Sequence, residues 1–347
     1  MAVEVSQPAP CQQAFRITLA PEGVRPMRDV VVQEFQKEAA LAGFRKGKAP
    51  RELVERHFLD QIREETLRRL TRQVFERVTA ERHLKPVGPF EVTRVDFDDL
   101  KGLALEARVE VEPEFRLVDY RGIRLVKPAV AISADEIAQA MARLQESVAE
   151  LVPVGEDKPK EKRLPALDDE FAKDVGFDTL AQLRAHLDAK LREQKTAEQA
   201  QALEQGLFEA LLARHQFDVP PGLVTKHTAR LTRDFQTRLL LTGLPDEQVT
   251  AELTKYTEHL HANAMRHVKL AFLLERIAEQ EALSVTQDEL VARLWNLASR
   301  WGKEPGEVRR LLDAQGLWPS VVSSIRRDKT VEFLLSVAHI DEAASVQ

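Results

Sequence analysis

A single cysteine, Cys11, stands in 347 residues, which excludes an intrachain disulfide and any cysteine-built metal cluster. Two tyrosines, three tryptophans and an aromatic fraction of 6% leave little to line an aromatic cleft. Set beside 31% charged residues, that scarcity fits long helices facing solvent. No run approaches the ~18 consecutive apolar residues of a membrane span. Met1-Ala2-Val3-Glu4-Val5 has neither the basic start nor the apolar run of a signal peptide. A reducing cytoplasm, away from membranes, is the expected location.

Catalytic signatures are missing as well. There is no Gly-x-Ser-x-Gly elbow and no His-Glu-x-x-His helix. His259, His261 and His267 come nearest to a metal cluster, but on a helix the first two point to roughly opposite faces. No metal is expected. Asp168-Asp169-Glu170 are adjacent carboxylates that splay apart and read as a helix cap.

What is present is uneven in charge. The chain carries −6 overall, yet residues 1–112 hold 19 cationic and 19 anionic side chains. Within them, residues 43–86 hold 12 Lys or Arg against 7 Asp or Glu, while residues 113–347 hold 31 against 37. A basic patch inside an acidic chain suits one defined anionic partner.

The patch begins at Gly43-Phe44-Arg45-Lys46-Gly47-Lys48-Ala49-Pro50. The segment Val30–Leu41 reads as a helix, and Gly43 stands where a left-handed helix stop needs glycine. Pro50 has its ring dihedral set for a first helical turn, continued by Arg51-Glu52-Leu53-Val54. The charges between cannot be buried cheaply, so the tip should project into water. A nucleotide-binding loop is excluded. It needs four residues between its first glycine and the Gly-Lys pair, then a hydroxyl; here three residues separate Gly43 from Gly47, and Ala49 follows the lysine. On the residues alone, the tip is either a docking point for something anionic or a solvated helix connection.

Around the tip, residues 12–19 read as a strand and a short helix starts at 50. A longer helix then carries Ile62, Thr66, Leu70, Val74 and Val78 at four-residue spacing until Pro86 and Pro89 stop it. Strands Phe90–Phe97 and Leu103–Val111 follow, joined through the turn cluster at 98–102. Residues 1–112 thus read as a small α+β domain.

Residues 116–130 look extended. Ser133-Ala134-Asp135-Glu136 is a capping box, and its helix shows the stripe Ile137, Met141, Leu144, Val148, Leu151. A charged linker at 155–163 completes a connecting region over 113–166. From 167 to 347 the pattern is helical, with segments at 177–215, 220–242, 246–282, 286–301, 304–314 and 317–340. Pro220-Pro221, Gly243-Leu244-Pro245 and the capping box Thr286-Gln287-Asp288-Glu289 mark their ends. Long helices joined by short turns pair as antiparallel hairpins. The expected fold class is an α+β N-terminal domain followed by an extended, mostly α-helical domain with antiparallel arms.

Two apolar groups suit the binding of unfolded segments, which needs small patches rimmed with charge. One is Leu239, Leu240, Leu241 and Leu244; the other is Trp295, Trp301, Leu317 and Trp318. Leucine and tryptophan at helical spacing are usually core residues, but the tips of helical hairpins have no nearby core to enter.

Gly43-Phe44-Arg45-x-Gly47-x-x-Pro50 resembles, at every fixed position, the ribosome-docking signature of the trigger factor family of bacterial chaperones. The order of elements is similar over nearly the whole chain. The resemblance implies that Gly43, Phe44, Arg45, Lys46, Gly47, Lys48 and Pro50 meet a large-subunit protein and RNA beside the exit tunnel. It also implies a helical body with two arms, whose tips fall near Leu239–Pro245 and Trp301–Pro305. Nascent and unfolded polypeptides are the implied clients, no cofactor is needed, and a weak homodimer off the ribosome is implied. One departure stands out. Most members insert an FKBP-like prolyl isomerase domain at the linker, but between Tyr120 and Phe171 this chain has no Phe, Tyr or Trp. No isomerase activity is expected. The function expected is that of an ATP-independent, ribosome-associated chaperone. The alternatives are a ribosome- or RNA-binding factor without chaperone activity and a holdase that acts off the ribosome.

Overall fold

Alternating polarity builds an antiparallel sheet at the N-terminus, with strand order β1-β2-β4-β3. The computed structural model describes residues 1–98, 101–152 and 161–342. Strands β1 (Ala2–Ala9), β2 (Gln12–Leu19), β3 (Glu91–Asp98) and β4 (Gly102–Glu110) form this sheet. Phe15, Ile17, Leu103, Leu105 and Val109 are buried on one of its faces. Helices α1 (Pro21–Glu38) and α3 (Leu59–Glu81) cover that face, through Val24 from the first and Leu70, Val74 and Val78 from the second. The four-residue stripe from Ile62 to Val78 is the buried side of α3. Gly102 is held at φ +99, and a Cβ there would stand 2.1 Å from the Leu19 carbonyl oxygen, so only glycine fits.

Two local differences from the sequence reading have clear causes. Strand β1 was not expected, because Pro8 and a register shift between Ser6 and Ala9 mask its alternation. Helix α1 ends at Glu38 rather than near Leu41. Ala39 leaves the helix in an extended conformation and buries itself with Ala49, Val54 and Ile62, so the last turn is exchanged for that contact. Gly43 does adopt a left-handed φ of +88, but in the turn beyond, not as the helix stop.

Residues Met1–Leu117 and His215–Arg276 form one compact unit. Its second part holds α7 (Pro221–Leu241) and most of α8 (Asp246–Gln280). Pro220 caps α7 and Pro221 takes its first position, as the sequence suggested. Val224 packs on Ala264 and Val268, and Phe235 meets Tyr256 edge-on at 5.4 Å, the pairing of an antiparallel hairpin. Stacking of Phe115 on Phe217 at 4.1 Å and a 2.5 Å bond from the Gly222 N–H to the Glu110 carboxylate hold this hairpin to the N-terminal part.

A second unit takes Val118–Arg214 and the chain from Ile277 onward. Only β5 (Arg124–Lys127) is regular within 116–130, where it pairs in parallel with β8 (His339–Glu342). Helix α4 (Ala134–Ser147) carries its expected capping box, and Ile137, Met141 and Leu144 meet Phe171 and Leu183. The predicted stripe does not run on as helix, because α4 ends at Ser147 and leaves Val148 exposed. Strand β6 (Glu150–Val152) pairs with β7 (Glu161–Arg163), so the expected linker ends in a strand; its residues 155–160 lie outside the described residues. Helices α5 (Asp169–Asp174), α6 (Leu180–Arg214), α9 (Gln287–Trp301), α10 (Pro305–Ala314) and α11 (Trp318–Ser336) complete the unit. The capping box at Thr286 is present. Asp168 accepts the Glu170 and Phe171 N–H groups as the cap of α5. The fold class is the expected one.

Candidate docking loop and client-binding tips

The loop after α1 folds back on the helix it leaves. The Gly47 N–H donates to the Ala39 carbonyl at 3.3 Å, Phe44 N–H to Leu41 O at 3.0 Å and Lys48 N–H to Arg45 O at 2.9 Å. Gln36 pins the far end, its amide donating to the Ala49 carbonyl at 2.8 Å. Pro50 then caps α2 (Arg51–His57), one position earlier than its ring would suggest. Within this frame Phe44, Arg45, Lys46 and Lys48 face water. Phe44 is 41% exposed, so it does not fold back as an apolar staple.

Ion pairing divides the basic residues of this region. Of the basic residues in 43–86, Arg51 pairs with Asp29 and Glu55, Arg68 with Glu65 and Arg69 with Glu34 and Glu65. Arg77 pairs with Glu81 and Lys85 with Glu112. The guanidinium of Arg68, then that of Arg69, holds the Glu65 carboxyl down at about 2. These pairs brace the helices. Among the described residues, Arg45, Lys46 and Lys48 form no ion pair. The basic excess read from the sequence is therefore spread more thinly along α2 and α3 than a count of arginines implies. The tip presents three uncommitted cations and one exposed ring, while Arg56, Arg72 and Arg82 on or beside α2 and α3 are likewise exposed and form no ion pair among the described residues.

The leucine group surrounds the α7–α8 turn. Leu241 is 82% exposed and Leu240 46%, while Leu239 and Leu244 are half-buried. The turn closes through Thr242 N–H to Leu239 O at 3.1 Å and Gly243 N–H to Leu240 O at 3.0 Å. The tryptophan group divides. Trp295 and Trp301 are exposed and Leu317 just so, but Trp318 packs against the buried Ala298, Val308 and Leu312 and donates its indole N–H to Asp313. Trp318 is largely a packing residue here.

Two apolar features escaped the sequence reading. Val291 is exposed one turn before Trp295, and their four-residue spacing was a readable sign. A groove of about 860 Å³ runs between α4 and α6, lined by Leu144, Val175, Phe177, Leu187 and Leu191. Leu183, Leu187 and Leu191 are again spaced by four. Among the described residues, no three His, Cys, Asp or Glu side chains are grouped to hold a metal ion. No helix there is long and apolar enough to cross a membrane.

Comparison with known proteins places the chain in a family. A family model described as bacterial trigger factor protein (TF) matches residues 1–144, and one described as bacterial trigger factor protein (TF) C-terminus matches residues 179–336. The trigger factor of Anaeromyxobacter sp. (strain Fw109-5) is 25% identical, with 99% of this chain and 100% of the relative covered. That alignment runs over 430 positions, so the relative is the longer protein. The trigger factor of Geobacillus kaustophilus (strain HTA426) is 26% identical over 88% of this chain and 92% of its own. A solved structure of the trigger factor chaperone, studied for promiscuous substrate recognition in folding and assembly, superposes with a TM-score of 0.55 over 97% of this chain and 99% of that one. At 19% identity that likeness speaks for the fold alone. With both family models matched in order, and too few residues between them for a prolyl isomerase domain, this chain belongs to the trigger factor family of ribosome-associated chaperones.

Proposed function

We propose that this chain docks on the large ribosomal subunit through the Gly43–Pro50 loop and shields nascent or unfolded polypeptides with its helical arms. The supporting observation is the loop itself: a turn bonded back onto α1 that exposes Phe44, Arg45, Lys46 and Lys48 together. Arg45 and Lys46 offer charge-assisted hydrogen bonds to RNA phosphates or protein carboxylates, and Phe44 offers an apolar anchor to the protein beside them. Residues 1–112 would supply docking, 113–166 the connection and 167–347 the client-holding body.

Client contact rests on Leu239, Leu240, Leu241 and Leu244 at one tip and on Trp295, Trp301, Leu317 and the edge of Trp318 at the other. Each contact is modest, about 25 cal/mol per Å² removed from water. Tethering compensates, because a docked chaperone meets the emerging chain at a high effective concentration. Release needs no nucleotide, since folding of the client withdraws the apolar surface. No cofactor, metal or membrane enters the cycle, which runs in the cytoplasm. No isomerase step enters either: a proline-twisting site needs an apolar, aromatic-lined cleft, and residues 121–170 contain no aromatic side chain. A weak homodimer would store the protein off the ribosome.

Two assays on one variant test this reading. The combined variant Phe44→Ala, Arg45→Ala, Lys46→Ala should fail to raise the soluble yield of an aggregation-prone client during cell-free translation. It should still match wild type when the same client is diluted from denaturant. Equal activity in both assays would favour the off-ribosome holdase, and no holding by wild type in either would leave only a ribosome- or RNA-binding factor.

A further inference from the structure

Helix α7 is basic within the acidic part of the chain. Residues 113–347 hold 31 cationic against 37 anionic side chains, yet α7 carries Lys226, Arg230, Arg233 and Arg238 against the single carboxylate Asp234. Val224, Leu231 and Phe235 turn one side of the helix onto α8. Along the opposite side, Lys226, Arg230, Arg233, Thr237 and Leu240 recur at alternating spacings of four and three. Leu241 stands beside Leu240, and all six of these side chains are exposed.

Nothing nearby neutralises the row. Among the described residues, Lys226, Arg230 and Arg233 form no ion pair, and none joins Asp246, Glu247 or Glu258 of α8 to α7. Glu252 of α8 is held by Lys255 at 3.5 Å. His227, half-buried beside the row, is kept below its ordinary pKa first by burial and then by Arg230. One exposed face thus carries three uncompensated cations that lead into two exposed leucines.

We infer that this face of α7 selects among clients, taking polypeptide segments in which an apolar stretch adjoins Asp or Glu. The leucines cover the apolar stretch, and the cation row meets the carboxylates. From Lys226 to Leu241 the helix rises about 22 Å, at ~1.5 Å per residue. About seven residues of extended chain span that length, at ~3.3 Å each, so a short segment engages both parts at once. Nucleic acid and lipid fit less well. No aromatic side chain lies on this face for bases to stack on, since Phe235 turns to Tyr256. An anionic bilayer that took up the leucine turn would meet Asp246 and Glu247, the first residues of α8 just past it, and like charge would oppose it. The inference rests on the client-binding reading of the leucine turn and adds a charge preference to it.

The test is a fluorescence-anisotropy titration of the full chain with two labelled peptides. They share one leucine-rich core, flanked by aspartates in one and by lysines in the other. Wild type should bind the aspartate peptide about tenfold more tightly, with the gap closing at high salt. The combined variant Lys226→Glu, Arg230→Glu, Arg233→Glu should reverse the order, a gain of binding to the lysine peptide that loss of fold would not give. Leu240→Ser with Leu241→Ser should weaken both peptides and keep the order. Equal affinity of wild type for the two peptides, or an order unchanged by the charge reversal, would overturn the inference alone. If wild type bound neither peptide, the client-binding reading would fall and this inference with it. Displacement of the aspartate peptide by an RNA oligonucleotide or anionic vesicles at far lower concentration would assign the row to phosphate and overturn the inference too.

Discussion

Gly47 reaches back to Ala39, its N–H donating to that carbonyl at 3.3 Å, and this contact sets the shape of the loop. At φ +77, a Cβ on Gly47 would also stand 3.1 Å from the Lys37 carbonyl oxygen. Gly43, at φ +88, has open space around it.

These two glycines should respond differently to alanine. Each pays roughly 1–2 kcal/mol for a left-handed backbone, but Gly47→Ala must also displace the end of α1. The expected outcome for Gly47→Ala is faster amide exchange over residues 41–48 and several-fold weaker ribosome binding. The buried face of α3 should keep its protection. Gly43→Ala should show the milder form of both effects.

Acid should weaken the first unit through Glu65. Its carboxyl is held at about 2 against an ordinary 4.5, first by Arg68 and then by Arg69. A carboxylate lowered on folding stabilises the fold above its ordinary value and loses that contribution as pH falls toward the lowered one. Urea unfolding of wild type should therefore lose stability from pH 4.5 down toward 2. Glu65→Gln should be less stable at neutral pH and show a flatter dependence across that window.

Exposed and buried leucines separate holding from folding. Leu241→Ser, at the most exposed apolar side chain of the α7–α8 turn, should change stability by no more than about 0.5 kcal/mol while reducing suppression of client aggregation. Leu207→Ala, at a fully buried position of α6, should cost about 2–5 kcal/mol. Denaturant melts and light scattering on the two variants check both statements.

Much of the architecture was readable because local patterns and tertiary packing agree. The stripe of α3, the capping boxes at Ser133 and Thr286 and the Pro220-Pro221 start each rest on residues within a few positions. What escaped depends on distant partners. Strand β8 exists because Arg124–Lys127 lies beside it, and nothing in His339–Glu342 announces that. Trp318 reads like Trp295 in sequence, yet Ala298, Val308 and Leu312 give it a place to pack. The Gly43–Pro50 tip was legible as a motif, but which of the basic residues around it are paired was not. That emerged only when Glu34, Glu55, Glu65 and Glu81 were seen to occupy the neighbouring arginines.

The most direct measurement is co-sedimentation with ribosomes, across a salt series, of wild type against the combined variant Phe44→Ala, Arg45→Ala, Lys46→Ala. Wild type should bind with affinity that falls steeply as salt rises. The variant should lose binding while its circular dichroism is unchanged. Equal binding by the two proteins at every salt concentration would contradict docking through this loop.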